Sequence, residues 1–467
     1  MMTKSELIAE ILQELRKAQA AKWKSPPAGP VEKISFPPSL WLGDGRSLAV
    51  TEALLNTVSA YTRICWSNAP ELKPRFKIDE LNKLAAQSFG LALAEIDLDL
   101  NDAQLLPLVS ERVEELLAEQ INRHNRPIDL TLGCHLVEGD EPYPLQIGPV
   151  VFETREVWRQ RMLAAGKLSP TTARRLRARW NGKLPRKRKR SVDSSAEESI
   201  LDSIGECPVV CIVATDGLSG RYIQEKGLLA ARLAMTAISL AWHQPSEGLR
   251  WMKLLYDRRR PHRYTVLFGR GTNVGANSEC TEFPVGRYSE PALLENLHSY
   301  CWLFDQVGEA LNSYVRPNQP VARPKAMNAL FLSLWWYHEA CQEPLDQIAT
   351  TKFAASMDAL TGGKKASGII ELIGALLGPK PADLLMKDDR TTKAVIAEIY
   401  DAGRSRLIHG SSTDYAHDWT QVRASAEEIG RWLLIACCDW LLQNPQRKDL
   451  KDLGPKYVSA TERAAGS

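Results

Sequence analysis

The feature that most limits how this chain can fold is the helical spacing of apolar residues from about 291 to 445. Apolar side chains recur there every three or four residues, which places them on one face of a helix. Proline and glycine clusters at Pro317–Pro324, Thr361–Gly363 and Gly378–Pro381 interrupt the pattern and are expected to separate the helices. The last helix carries a wide apolar stripe of Ile429, Trp432, Leu433, Ala436, Cys437, Trp440 and Leu441. Such a stripe can pack inside a domain and leave an edge for a partner.

Length and composition place this helical region in a larger globular protein. At roughly 150 residues per domain, the 467 residues suggest two to four domains. The apolar fraction of 44% and the charged fraction of 25% argue against disorder, collagen and a coiled-coil rod. We predict a multidomain fold, mainly α with a small α/β unit. The predicted divisions are residues 1–151 (mostly helical), 152–205 (a basic arm and linker), 206–290 (the α/β unit), 291–447 (an all-α helical bundle) and 448–467 (a tail).

The predicted α/β unit rests on a change of pattern after Cys207. Pro208–Ala214 is a continuous run of apolar and β-branched residues, typical of a buried strand. A turn at Gly217–Gly220 leads into an apolar helix over Ile223–Trp242, and Tyr264–Phe268 reads as another strand. An anion could bind where the turn meets the helix N-terminus. The turn lacks the Lys-Ser/Thr pair of a nucleotide-binding P-loop, so a nucleotide-sensing pocket is one alternative and not the main prediction.

Charge is unevenly distributed along the chain. Lys and Arg total 59 against 56 Asp and Glu, yet residues 155–190 hold 14 basic residues and one acid. This arm is predicted to follow a phosphate backbone, with Trp180 available for stacking on bases. The predicted nucleic-acid-binding residues are Arg174, Arg175, Arg177, Arg179, Lys187 and Arg188. The alternative is a solvated linker, because Pro185 and the serines that follow break the apolar periodicity.

Several classes of protein are excluded by absent patterns. The longest apolar helical stretch, Leu228–Trp242, is too short to cross a bilayer and contains Arg232. The N-terminus is an amphipathic helix and has no uninterrupted apolar core of a signal peptide. The nine cysteines are scattered without zinc-binding spacing, which predicts free thiols, no metal site and no cofactor. We therefore expect a cytoplasmic protein without membrane contact.

The sharpest motif is Ile399–Gly410, in which Arg404 and His409 lie near the end of a predicted helix. Gly410 is a plausible C-cap residue just past that end. On an ideal α-helix, Arg404 and His409 are about 140° apart and do not share a face. Either His409 lies in a frayed last turn, or the pair works across a symmetric dimer. The alternative reading is that both cations only stabilise a helix C-terminus.

The sequence around this motif resembles the HEPN family (higher eukaryotes and prokaryotes nucleotide-binding), and most closely its ApeA-like group. Catalytic members carry an Arg-x4-6-His motif, and that group typically has Tyr-x-x-x-Arg-Ser-x-x-x-His-Gly. The matching residues are Tyr400, Arg404, Ser405, His409 and Gly410. Asp358 stands where an acidic residue, usually Glu, ends the second of the two helices that precede the motif. The resemblance covers about residues 325–445.

The resemblance implies a HEPN-type endoribonuclease that needs no metal and acts as a homodimer with two motifs face to face. In the ApeA-like group the implied biology is bacterial defence against phage by abortive infection, with a phage-derived or nucleotide trigger. His titrates near neutral pH and suits proton transfer, while Arg carries a planar fork that matches phosphate oxygens. Arg404 and His409 are therefore the predicted catalytic residues. The predicted supporting residues are Asp358, Ser405, Arg406 and Tyr400.

Two other functions are compatible with the same residues. In the first, the helical domain is a non-catalytic dimerisation module and the basic arm holds nucleic acid without cutting it. In the second, the protein is a regulator that senses a nucleotide through the unit at 206–290. Cleavage of RNA in the presence of EDTA would favour the nuclease over the binding protein.

Overall fold

A computed structural model describes residues 2–20, 38–43, 45–97, 100–136, 143–257, 262–269, 272–280, 297–386, 389–411 and 417–450. This part of the chain is mostly helical with small β-sheets, as predicted. It forms two compact units. The first comprises Met1–Ile128, Thr215–Glu225 and Arg316–Asn318, and the second comprises Asp129–Ala214, Lys226–Val315 and Gln319–Ser467.

The first unit is built on helices α1 (Lys4–Ala20), α2 (Glu52–Asn68), α3 (Ile78–Glu95) and α4 (Asp102–Arg123), with a hairpin of β1 (Ser39–Trp41) and β2 (Ser47–Ala49). Each helix buries one apolar face in a shared core, where the rings of Tyr61 and Phe89 meet edge to face at 5.2 Å. The side chain of Thr51 caps α2 by accepting the backbone N–H of Leu54. The mostly helical character predicted for the N-terminal region is confirmed.

A five-stranded sheet follows, with strands β3 (Pro127–His135), β4 (Leu145–Ile147), β5 (Val150–Thr154), β6 (Val209–Asp216) and β7 (Lys253–Leu254) in the order β4-β5-β6-β3-β7. The buried strand expected near 208–214 is β6, which pairs antiparallel with β5. The predicted boundary at residue 151 is wrong, because it cuts through β5 and separates β3–β5 from the sheet that they share with β6. The β4–β5 hairpin is local, but the β5–β6 pairing joins distant parts of the sequence, and no local pattern shows it.

The segment predicted as a basic arm and linker is folded. It contains helices α5 (Arg155–Ala164), α6 (Pro170–Trp180) and α7 (Val192–Ile204). Trp158, Leu176 and Ile204 bury their side chains together with Val210 and Ile212 of β6. The linker prediction is therefore wrong, although the expected helicity of residues 154–180 is confirmed. Its apolar residues are few, but they come from three helices and pack on the sheet.

Helix α8 (Gly220–Ser239) follows β6 as predicted, and α9 (Pro245–Trp251) comes next. The strand expected at 264–268 lies within β8 (His262–Gly269), which pairs antiparallel with β9 (Thr272–Cys280). These two strands form a separate sheet and do not extend the five-stranded one, contrary to the predicted single α/β unit. Among the described helices, none has the length and hydropathy needed to cross a membrane.

The C-terminal region is an all-α bundle. Its helices are α10 (Cys301–Val315), α11 (Pro324–Cys341), α12 (Asp346–Thr361), α13 (Lys365–Leu377), α14 (Thr392–Ile396), α15 (Arg406–Ile408) and α16 (Thr420–Gln443). Helix α12 packs against α11, α13 and α16, and the rings of Tyr337 and Phe353 meet in the core at 5.1 Å. The predicted breaks near 317–324, 361–363 and 378–381 all lie between helices, whereas the breaks after Cys341 and after Ile408 were not predicted. The specific likeness to a HEPN bundle stays a prediction.

Candidate functional site

The backbone that carries the Arg-x4-His motif is a π-helix over Ala397–Ser405, between α14 and α15. At its end the N–H of Arg406 donates to the carbonyl of Asp401, five residues earlier. The carbonyl of Gly403 accepts a hydrogen bond of 3.0 Å from Thr351 Oγ1 on α12, which ties the segment to the bundle. The angle of about 140° assumed an ideal α-helix from Arg404 to His409, whereas Arg404 and Ser405 belong to the π-helix and Arg406–Ile408 to an α-helix. π-Helical turns are rare and are frequent at functional sites.

Asp358 connects this segment to the helices before it. Oδ1 accepts the backbone N–H of Lys365 at 2.8 Å, so the carboxylate links the end of α12 to the start of α13. Oδ2 accepts from the hydroxyl of Tyr400 at 3.3 Å and lies 3.5 Å from Nη2 of Arg404. Asp358 is buried, with 8% of its surface exposed. A buried carboxylate with these partners can fix the position of Arg404.

Arg404 is held on one side and open on the other. Its Nη1 donates to the Tyr400 hydroxyl, which in turn donates to Asp358, and the guanidinium carbon lies 4.9 Å from the centre of the Tyr400 ring. Burial, followed by the negative charge of Asp358, raises the pKa of the Tyr400 phenol, so the hydroxyl keeps its proton. The Arg404 side chain is still 29% exposed. Nε of Arg404 is buried without a hydrogen-bond partner among the described residues, so only the Nη donors that Tyr400 and Asp358 do not use can serve an anion.

His409 lies at the end of α15 and is exposed. Gly410 follows with φ +64°, and the N–H groups of Gly410 and Ser411 donate to the carbonyls of Leu407 and Arg406. This arrangement is a Schellman motif, and it confirms Gly410 as the predicted C-cap residue. The cap satisfies the last carbonyls through the backbone, so the imidazole is not needed for that purpose. No hydrogen bond of the imidazole is present within the described part of the chain.

The other two predicted supporting residues are less involved. Ser405 is half-buried and its carbonyl accepts the backbone N–H of His409 at 3.1 Å. Arg406 is exposed, and its carbonyl takes part in the cap. No hydrogen bond or ion pair joins Arg404 to His409 within the described chain. The structure therefore brings Arg404, Tyr400 and Asp358 together, and among the described residues no hydrogen bond or ion pair links His409 to them.

Two cations beside this site were not predicted from the sequence. Lys364 and Lys365 are exposed, and the backbone N–H of Lys365 shares the Asp358 carboxylate with Arg404. Lys364 Nζ lies 3.6 Å from Oε2 of Glu371, which offsets its charge, whereas Lys365 adds a positive charge to those of Arg404 and Arg406. Asp401 is an exposed acid on the same π-helical segment. The sequence feature that could have predicted the position of the lysines is the Gly362–Gly363 turn. A chain that turns shortly after Asp358 brings the following residues back towards the Asp358 carboxylate.

Gly403 allows the π-helix to approach α12 closely. A Cβ added there would lie 2.9 Å from Cγ2 of Thr350 and 3.3 Å from Cζ3 of Trp419. Thr350 is fully buried, and its hydroxyl donates to the carbonyl of Asp346 at 2.8 Å. The methyl group of an alanine would therefore meet a side chain that cannot rotate away.

We expect Gly403→Ala to destabilise the bundle by about 1 to 2 kcal/mol, because the cost of overpacking exceeds the helical preference of alanine. Thermal unfolding of the full-length chain measures the loss. Thr350→Ser removes Cγ2 and keeps the hydroxyl, so Gly403→Ala should cost almost nothing when it is added to Thr350→Ser. If Gly403→Ala lowers the stability equally in the wild-type and the Thr350→Ser proteins, a clash with Thr350 Cγ2 is not the cause of the loss.

The predicted nucleic-acid-binding residues fall into two groups. Arg174, Arg177, Arg179 and Lys187 are exposed. Arg175 and Arg188 are half-buried and pair with the buried Glu197, at 2.7 Å and 3.8 Å. These ion pairs give Arg175 and Arg188 a structural role, and their contact with a nucleic acid stays a prediction. The prediction treated all of the cations alike because sequence does not show which of them meets a buried acid.

Trp180, which is half-buried, packs against two other side chains. The guanidinium of Arg155 lies 4.8 Å from its ring centre, and the ring packs edge to face with Trp158 at 6.4 Å. Its Nε1 is buried without a partner within the described chain. These contacts do not favour the stacking role expected for Trp180.

The Gly217–Gly220 turn is already filled by protein groups of its own unit. Glu80 accepts from the Ser219 hydroxyl and from the backbone N–H of Arg221 at 3.2 Å. Arg75 Nε donates to the Gly217 carbonyl at 3.0 Å. A carboxylate at the N-terminus of α8 occupies the place where a phosphate would bind. This arrangement does not favour a nucleotide pocket at the turn.

Comparison of the chain with protein-family models, with curated proteins and with solved structures gives no match. Among the described residues, no group of three or more His, Cys, Asp or Glu side chains is placed to hold a metal ion.

Proposed function

We propose that the protein is a metal-independent endoribonuclease whose catalytic residues are Arg404 and His409. The observation that carries the proposal is the chain of contacts from Asp358 through Tyr400 to Arg404. It fixes a guanidinium that remains partly exposed, on the same segment as an exposed histidine whose helix end is already capped. The resemblance to catalytic HEPN domains assigns these two residues to RNA cleavage.

The chemistry follows from the properties of the two side chains. A base accepts the proton of a ribose 2′-OH, and the 2′-oxygen attacks the adjacent phosphorus. The bond from phosphorus to the 5′-oxygen then breaks, and that oxygen receives a proton. The imidazole of His409 serves as the base or the acid. The guanidinium of Arg404 stabilises the charge that develops on the phosphate oxygens. The products are a 2′,3′-cyclic phosphate and a 5′-OH.

The proposal includes a homodimer, because no hydrogen bond or ion pair joins Arg404 to His409 in the part of the single chain that is described. The apolar stripe of α16 contributes little to this interface. Ile429, Leu433, Cys437, Trp440 and Leu441 are buried in the bundle, and Trp432 and Ala436 are half-buried. Trp335 and Trp336 on α11 expose 39% and 43% of their surface. This neighbouring aromatic pair is better placed than the stripe to contact a second copy.

We expect light scattering at micromolar concentration to give the mass of two 52.1 kDa chains. Trp335→Ser with Trp336→Ser should shift the protein towards monomer, because the interface loses two large apolar contacts. Trp251→Ser is the matched control, since Trp251 is 39% exposed and lies on α9. A wild-type protein that is monomeric under these conditions would contradict the dimer.

The proposed biological role is cytoplasmic RNA cleavage in anti-phage defence by abortive infection, with a phage-derived or nucleotide trigger. The second candidate is a protein that binds RNA without cutting it, favoured by the exposed cations on α6. Incubation of the full-length protein with RNA and excess EDTA separates them. Cleavage that His409→Ala abolishes supports the nuclease, and RNA binding without any cleavage supports the second candidate.

A further inference from the structure

The cations of α6 and of the loop after it are held together by one buried acid. Glu197 of α7 is 4% exposed and accepts from Arg175 Nε at 3.0 Å and 2.7 Å. Nη1 of Arg188, in the loop, lies 3.8 Å from Glu197 Oε2. Two of the basic residues are therefore used to clamp the loop to the helix. The charges that remain are not part of the clamp.

Three further contacts set the direction of the loop. Arg175 Nη1 donates to the carbonyl of Arg186 at 2.8 Å, and Arg188 Nη1 donates to Thr172 Oγ1 at 3.0 Å. Arg188 Nη2 also donates to Asp193 at 2.8 Å. Because Arg186 lies beside Arg175 and Arg188 lies beside Thr172, the loop runs antiparallel to α6. The basic residues of both elements are thereby brought onto one folded surface.

We name the exposed cations of these two elements the α6 basic surface. They are Arg174, Arg177, Arg179, Lys183, Arg186, Lys187, Lys189 and Arg190. None of these eight side chains forms an ion pair within the described chain. Like charges gathered in this way repel one another and create a strong positive field. One buried acid and two arginines nevertheless hold these cations close together. This arrangement indicates that the surface binds a polyanionic ligand.

We propose that the α6 basic surface binds the phosphate backbone of single-stranded RNA without reading its bases. Arginine and lysine supply charge and donors for phosphates, while Trp180, the aromatic side chain at the end of α6, is covered by Arg155. The choice of RNA rests on the proposed function. The competing ligand is an anionic membrane, since Leu184 and Val192, which flank the loop cations, are 85% and 88% exposed. Arg174 and Arg177 lie on α6, outside the loop that Leu184 and Val192 flank. A basic surface that continues from the loop along α6 favours an extended polyanion over a membrane.

The test measures how RNA affinity depends on salt. Full-length His409→Ala protein, which should bind without cutting, is titrated with a single-stranded RNA over a series of salt concentrations. Adding Arg174→Gln, Arg177→Gln and Lys187→Gln should reduce the slope of log K against log salt by about 2, since each phosphate contact on a single strand contributes about 0.7. Arg63→Gln, Lys73→Gln and Lys83→Gln form the matched control, because these residues are also exposed and form no ion pair with any residue that the structure describes. The control should leave the slope unchanged.

Each outcome decides the proposal separately from the nuclease. The proposal is overturned if the α6 variant leaves the slope of log K against log salt unchanged, or if both triple variants reduce that slope equally. This holds even if wild-type protein cuts RNA. The predicted loss of slope with no cleavage by wild-type protein supports the surface and rejects the nuclease. Binding to phosphatidylserine vesicles that needs the same three residues and is tighter than RNA binding would assign the surface to a membrane. Melting curves of all variants should coincide, because the substituted side chains are exposed.

Discussion

His409→Ala should reduce RNA cleavage by about 10² to 10⁴-fold, which is the usual cost of losing general acid–base catalysis. The imidazole is exposed and forms no hydrogen bond within the described chain, so its removal should leave folding and dimerisation intact. Single-turnover cleavage of a labelled RNA measures the loss. His298→Ala is the matched control, since His298 is also exposed but lies outside the motif. A His409→Ala protein that cuts at the wild-type rate would show that this assignment is wrong.

A purely structural role for His409 predicts a different result. A cation at a helix C-terminus contributes about 0.3 to 1 kcal/mol, so alanine would lower the melting temperature slightly and any cleavage would persist. The Schellman motif already argues against that role, because backbone groups of Gly410 and Ser411 satisfy the end of α15. Melting and cleavage measured on the same protein preparation distinguish the two roles.

Arg404→Ala should reduce cleavage by about 10² to 10³-fold, because it removes a donor aimed at the developing charge. Arg404→Lys should recover little, since an ammonium cannot reproduce the planar fork. Tyr400→Phe removes the hydroxyl that accepts from Arg404 and donates to Asp358. Its loss of rate should be smaller, because the guanidinium stays present but is less well fixed. Asp358 is a poor test residue, since it also holds the start of α13.

A double variant that combines Arg404→Ala with His409→Ala tests whether the two residues stabilise the same transition state. Both residues would serve one transition state, so the combined loss should be smaller than the product of the single losses. Losses that multiply fully would indicate that the two residues act in separate steps. Full activity of Arg404→Lys would contradict the need for a guanidinium fork.

The sequence allowed prediction of the features that depend on local pattern. The helices of the bundle, the breaks at its proline and glycine clusters and the Gly410 cap follow from apolar spacing and from glycine and proline positions. The π-helix did not follow, because its i→i+5 turn depends on contacts with α12 and not on a local pattern of residue types. What sets it is tertiary: Gly403 fits against Thr350, and its carbonyl takes the hydroxyl of Thr351. Asp358 was found by resemblance, but its links to Lys365 and Arg404 depend on the turn geometry.

The basic arm shows a second limit of sequence reasoning. Residues 181–191 lack apolar periodicity, which favours a linker, yet the loop is fixed by Arg175, Arg188 and Glu197. Ion pairs and carbonyl contacts replace apolar contacts there, and they have no period in the sequence. The sheet was missed for a related reason, since β5 pairs with β6 across the whole of α5–α7.

The identity of the RNA ends tests the central claim most directly. The full-length protein is incubated with RNA in excess EDTA, and the new ends are identified by mass spectrometry. Attack by the 2′-oxygen, assisted by His409 and Arg404, predicts a 2′,3′-cyclic phosphate on one fragment and a 5′-OH on the other. Fragments with a 3′-OH and a 5′-phosphate, or cleavage that stops when EDTA is added, would contradict the account.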